Sequence, residues 1–196
     1  MQLGRDRFMS LKMDTKRILA DSFCNLLEKK SLEDISVQNI VNDCGASRTT
    51  FYNHFLDKYD LMLWIYKEDM KNIWENFSEN WDETNLEVLN YFKKKRVFYL
   101  NISQYAGQNS IQEEMRERLI GNAEEYFKER LNTIVLSEEI EHAIAVYSRN
   151  VIEEIFCWLK APCPCSSKKL LKNISVCMPF ILVQCLDELK LKRKAV

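Results

Sequence analysis

Glycine and proline are scarce in this chain, at 4 and 3 of 196 residues. Strand-rich folds place such residues at their turns, so this poverty argues for an all-α protein. Histidine is scarcer still, with His54 and His142 alone. No apolar run approaches the about 18 residues that a membrane span needs. The first 13 residues, MQLGRDRFMSLKM, lack the long apolar core of a signal peptide, so a cytoplasmic protein is expected. In that compartment the seven cysteines should be reduced thiols, and the Asn-x-Ser triplets at 76, 101 and 173 carry no sugar. A Gly-rich phosphate loop, a His-Glu metal pair and a nucleophile elbow are all missing, so no enzyme and no cofactor is expected. Cys163-Pro164-Cys165 has one intervening residue where a structural zinc prefers two, and no metal is expected either. Net charge is −1. Any affinity for nucleic acid must come from local placement of cations, amide dipoles and polar side chains.

What is present centres on Ser36 to Lys58, SVQNIVNDCGASRTTFYNHFLDK. Val37, Ile40 and Val41 give the apolar stripe of a two-turn helix, with Ser36 placed to cap it. Gly45 suits a left-handed helix end. Ser47 caps a second helix whose apolar side is Phe51 and Phe55. Its other side, Arg48, Thr49, Tyr52 and Asn53 with His54 at the end, carries no acid until Asp57. A polar, acid-free helix face beside a three-residue turn is what a helix-turn-helix reader offers the major groove.

Ser36-Val37, Gly45, Thr50-Phe51-Tyr52-Asn53-His54-Phe55 and Lys58 together resemble the DNA-binding domain of the TetR family of transcription regulators, over roughly residues 14 to 70. The departure is at Val41 and Cys44, where the family has small residues. Val41 either spreads the two helices or repacks. The body is similar, more loosely, to the subgroup that includes the activator of dihydroxyacetone kinase operons, through Leu63-Trp64-Ile65 and Val97-Phe98-Tyr99. The resemblance implies a dimer on a double-stranded, pseudo-palindromic operator. It usually implies a repressor, released when an effector in the body changes the spacing of the heads. The residues expected at DNA are Ser36, Val37, Gln38, Ser47, Arg48, Thr49, Thr50, Tyr52, Asn53, His54 and Lys58. Arg48 and Thr49 should meet base edges. Tyr52, His54 and Lys58 should hold phosphates, while Ser36, Val37 and Gln38 grip the backbone from the preceding helix. The alternative is an activator or co-regulator that works mainly through protein contacts.

Around this motif the chain divides into a flexible leader, 1–13, a helix-turn-helix domain, 14–60, and a helical effector-binding and dimerisation domain, 61–196. The leader's Arg5, Arg7 and Lys12 could form a basic arm, but Asp6 and Asp14 dilute it. A helix from Asp14 to about Lys30 carries Ile18, Leu19, Phe23, Leu26 and Leu27 on one face, with Cys24 as a small core residue. Asp57 caps a fourth helix, with Asp60 at its third position, and that helix runs toward Phe77. Trp81 to Asn85 reads as a loop, followed by a helix to Phe92. The run Lys93-Lys94-Lys95-Arg96 could be a DNA or membrane patch, but a solvated helix end needs no function. Val97 to Tyr105 should be buried. Helical spacing continues over Ile111–Leu136, then over 138–160 behind Ser137. After a turn with two prolines, a last helix covers roughly 167–190, where Pro179 should kink or break it.

Phe92, Phe98, Tyr105, Tyr147 and Trp158 could line an effector pocket, although aromatics at helical spacing are also plain core. The homodimer is expected to form from the last two helices, because Phe156, Trp158, Phe180 and Val183 lie off their main stripes and need cover.

Overall fold

The computed structural model describes residues 2–75, 81–103 and 110–186, with side chains described outside 2–13, 74–75 and 81. Its regular elements are all helices. The chain splits into two compact units, Met1–Phe77 with Lys95–Asn109, and Ser78–Lys94 with Ser110–Val196. The first unit therefore takes in more than the expected 14–60, because a segment from beyond residue 90 joins it.

The first unit holds α1 (Gln2–Leu27), α2 (Val37–Cys44), α3 (Arg48–Tyr52), α4 (Lys58–Glu75) and α6 (Arg96–Ser103). The helix expected from Asp14 begins at Gln2, so the proposed leader falls within α1 from that residue onward. Helix α1 packs against α2, α4 and α6. Its inner face is Leu19, Phe23, Leu26 and Leu27, while Ile18 is turned outward. Ser22 sits on that buried face and donates to the Ile40 carbonyl at 2.9 Å, which satisfies its hydroxyl where water cannot reach. Cys24 is partly buried, and burial pushes its thiol up to about 11. Asn101 of α6 donates to the carbonyl of Leu27 at the end of α1. Of the basic run, Lys95 pairs with Asp69 at 2.9 Å, while Lys93 and Lys94 form the exposed last turn of the helix Trp81–Lys94. Cations at a helix C-terminus sit well with its dipole.

The second unit holds α5 (Trp81–Lys94), α7 (Ile111–Leu131), α8 (Glu138–Lys160), α9 (Ser167–Val176) and α10 (Phe180–Leu186). Trp81 to Asn85 is the first turn of α5 rather than a loop. Asp82 and Glu83 favour the positive end of that helix, and Thr84 is buried. Helix α7 stops at Leu131, short of the expected Leu136, because Asn132 adopts φ 51° and ends it in the left-handed region. Helix α8 packs on α7 and α5, and α9 on α5 and α8. The break at Pro179 is complete. Helices α9 and α10 are bent by 101°, and the Pro179 carbonyl accepts from Leu182 and Val183 at the start of the new helix. Leu182 of α10 then joins Phe127, Leu136 and Ile144 in a core. Phe156 and Trp158, expected to need a partner's cover, are buried within the chain. The Trp158 indole donates to the Cys165 carbonyl at 2.9 Å, which fastens the two-proline turn. Cys163 and Cys165 belong to that turn, and Cys163 takes φ 52° there.

Among the described residues no single helix is long and apolar enough to cross a membrane.

Candidate nucleic-acid interface

Helices of eight and five residues cannot hold themselves in water. In α2 and α3 the ends supply the missing order. Ser36 Oγ accepts from the Asn39 amide at 3.2 Å, and Asn39 Oδ1 accepts from the Ser36 amide at 2.9 Å. This is a reciprocal capping box with asparagine at the third position. At the other end Gly45 takes φ 70°, and the Val41 carbonyl receives the amides of Gly45 and Ala46. Val41 is fully buried, as is Ile40 beside it on the apolar stripe of α2. Two residues later Ser47 Oγ accepts from the Thr50 amide at 3.0 Å and shares a 2.8 Å hydrogen bond with the Thr50 hydroxyl. The turn between the helices is thus bounded by a left-handed glycine and a serine cap.

Phe51 is the buried side of α3, in edge contact with the Tyr52 ring and tilted against Phe55. Phe55 packs on Trp64, and the Lys16 ammonium lies 5.2 and 5.4 Å from those two ring centres. The sequence reading missed that cation–π contact, because nothing local ties Lys16 to residues 39 and 48 positions away. With Phe51 fixed inward, Arg48, Thr49, Tyr52 and Asn53 are exposed together. The Arg48 guanidinium lies 5.8 Å from the Tyr52 ring centre, with Nη2 donating to the Tyr52 hydroxyl at 3.4 Å. Tyr52 remains half exposed, at 50%. The pair is a cation and a hydroxyl held side by side on one short helix, able to meet a base edge and a phosphate.

The other expected contacts are placed less uniformly. Gln38 is exposed, and its amide donates to Asn42 at 2.7 Å. Val37 is half-buried and opens α2, whose first amides beyond the cap are available to an anion. Ser36 and Ser47 already work as caps, and Thr50 is bonded to the Ser47 cap through its amide and its hydroxyl. Asn53 closes α3. His54 is half-buried, with its ring 6.4 Å from that of Phe55. Lys58 departs furthest from expectation. Its ammonium donates to the carbonyls of Leu32 at 2.6 Å, Ile35 at 2.7 Å and Glu33 at 3.4 Å, a backbone clamp where a phosphate contact is expected. Burial lowers its pKa from the usual lysine range, opposed by Glu33, Asp34 and Asp57.

The residues of the expected effector lining are divided between the two units. Phe98 is core of the first unit, while Phe92, Tyr147 and Trp158 belong to the second, and Tyr105 lies outside the described residues. Phe92 and Trp158 are buried. The Tyr147 hydroxyl donates to the Ile174 carbonyl at 2.9 Å, and burial pushes its pKa up to about 12.

Known proteins carry the same architecture. The family described as the transcriptional regulator C-terminal region, of TetR type, matches residues 79–179, which is half of the chain. This chain belongs to the TetR family of transcription regulators. It is similar to the HTH-type dhaKLM operon transcriptional activator DhaS of Lactococcus lactis subsp. lactis (strain IL1403), at 29% identity over 99 residues. That stretch is 48% of this chain and only 53% of the relative, so the chain spans about half the length of the curated relative it matches. Among solved structures, the dihydroxyacetone kinase operon activator DhaS matches with a TM-score of 0.65 at 19% identity, over 90% of this chain and 97% of its own. A TetR transcriptional regulator from Streptococcus agalactiae 2603V matches at 0.64 and 17%, over 89% and 97%. These two carry the fold.

Proposed function

We propose that this protein regulates transcription in the cytoplasm by reading a pseudo-palindromic operator as a homodimer, with α3 of each copy in a major groove. The observation that carries the reading is the exposed Arg48–Tyr52 pair on a helix fixed by the Gly45 turn and the Ser47 cap. Arg48 would bridge guanine O6 and N7, with Thr49 beside it. Tyr52, Asn53 and His54 would hold phosphates. Ser36, Val37 and Gln38 would present the start of α2 to the same strand, since its amides form an anion-seeking helix end. A gel-shift of the purified chain on its own upstream DNA tests this. A shift that survives excess unrelated duplex is expected; binding no tighter to that DNA than to competitor would overturn the reading.

The dimer would use α8, α9 and α10. Support comes from the exposure of Val176 and of Phe180, at 77% and 74%, around the Pro179 bend. A monomer in light scattering at micromolar concentration would remove that support. An effector, if the body takes one, would enter the second unit near Tyr147, the partly open member of the aromatic set. On the sign of control, the resemblance favours a repressor. The similarity to a relative named as an operon activator supports the second reading, activation through protein contacts. A promoter fusion in cells with and without the chain separates them: expression rises on deletion for a repressor and falls for an activator.

A further inference from the structure

We infer that Lys58 is a positioning residue of the reading head, clamping the linker that delivers Ser36 to the start of α2 instead of touching a phosphate itself. Its effect on DNA rests on the operator-reading function proposed above; the clamp does not. The linker between α1 and α2 has few bonds of its own. Across 31–35 they are the backbone bonds from the Asp34 amide to the Ser31 carbonyl at 3.2 Å and from the Ile35 amide to the Leu32 carbonyl at 3.4 Å, with the Ser31 hydroxyl donating to the Asp34 carboxylate at 2.7 Å. Against it stands the Lys58 ammonium, with donations to three carbonyls, of Leu32, Glu33 and Ile35, 23 to 26 residues away in sequence. An ammonium has three protons and no acceptor, so three carbonyls saturate it. The last of these carbonyls belongs to the residue immediately before the Ser36 cap.

Both ends of the clamp are themselves anchored. Leu32 and Ile35 bury their side chains. At the other end Asp57 Oδ1 accepts from the amides of Tyr59 and Asp60 at 2.8 Å each, and Asp60 Oδ2 accepts from the Leu56 amide at 3.0 Å. A cation in the first turn of a helix opposes the dipole. The three carbonyl oxygens supply the negative ends that this position lacks, with Glu33, Asp34 and Asp57 nearby. To bind a phosphate, the ammonium would have to release these carbonyls and loosen the α2 start it supports. A planar guanidinium keeps the charge but cannot reproduce three converging donors on one atom.

The test uses the full chain, a duplex of its own upstream DNA, and the variants Lys58→Arg and Lys58→Met. In the unmodified protein the Lys58 Nζ protons should exchange slowly with water, and the Nζ resonance should stay put when duplex is added. Both variants should speed amide exchange at Ile35 and Asn39 by about 10-fold or more. Both should also weaken duplex binding by a similar factor, with the salt slope of Lys58→Met unchanged. The inference is overturned if Lys58→Arg binds like the unmodified chain while Lys58→Met lowers the salt slope by about one, as a lost phosphate contact would. Should neither variant fold, the Nζ resonance decides: movement on adding duplex overturns the inference. If no duplex binds at all, amide exchange still tests the clamp, and the operator-reading proposal fails by itself.

Discussion

In the unit that carries Arg48, helices of eight and five residues are shaped by their ends; in the unit that carries Phe180, helices of 21 and 23 residues are shaped by their faces. The short helices meet at Gly45 and Ser47, and moving either cap would swing the exposed side of α3. The long ones would keep their direction through a lost cap, because packing along several turns holds them. Their weak points lie elsewhere, in single long-range contacts such as Tyr147 to Ile174. A surface that must match a rigid duplex is thus built from local bonds, and the region expected to assemble or respond is built from adjustable packing.

The sharpest way to break this comparison is to empty the reading head's core. Phe51→Ala should destabilise the chain by about 3–5 kcal/mol, since a fully buried ring leaves a cavity. Ile134→Ser in the α7–α8 connection, where that side chain is 91% exposed, should stay within about 0.5 kcal/mol. Denaturant unfolding followed by circular dichroism reads both, and equal losses would show that Ile134 is covered in solution.

Next in size is recognition without stability. Arg48→Ala should cost roughly 1–3 kcal/mol on the operator and relax preference at one base position. Its unfolding midpoint should hardly move, because Arg48 is exposed and its contact to Tyr52 lies on the surface. Operator titration beside thermal melting tests the pair, and a large fall in melting temperature would mean that Arg48 is structural.

Rising alkaline pH should loosen the two units one after the other. Burial pushes the Cys24 thiol from 9.0 up to about 11 in the first unit and the Tyr147 phenol from 10.0 up to about 12 in the second. Each group is held neutral by the fold. The stabilisation from Cys24 is therefore complete below pH 9.0 and lost as pH rises through about 11. That from Tyr147 is complete below pH 10.0 and lost through about 12. Methyl resonances of Ile40 and Ile144 should lose dispersion in that order, and the reverse order would contradict it.

The smallest effects concern caps and glycines. Ser47→Ala should cost about 1 kcal/mol and weaken operator binding with it. Gly45→Ala meets no steric neighbour within 4 Å, so its cost is the strain of a left-handed alanine, about 1 kcal/mol. Gly121→Ala in the middle of α7 also has open space and ordinary helical backbone, and should gain about 0.5–1 kcal/mol. A gain at Gly45 or a loss at Gly121 would reverse the contrast between ends and faces.

The all-α class, the caps at Ser36, Ser47, Asp57 and Ser137, the left-handed Gly45 and the break at Pro179 were determined by the sequence alone. Each involves atoms three or four residues apart, or one ring that lacks an N–H, so the local string contains the whole cause. The outward face of α3 followed, since Phe51 and Phe55 leave only one side for Arg48 and Tyr52. Tertiary structure decided the rest. It carried the Lys58 ammonium 26 residues back to Leu32, covered Phe156 and Trp158 inside one chain, and laid Leu182 of α10 against Phe127 and Ile144. It also gave the 96–103 helix to the unit of α1. An apolar or charged side chain states what it needs, burial or a partner, but not which distant segment will supply it; only the return path of the folded chain makes that choice.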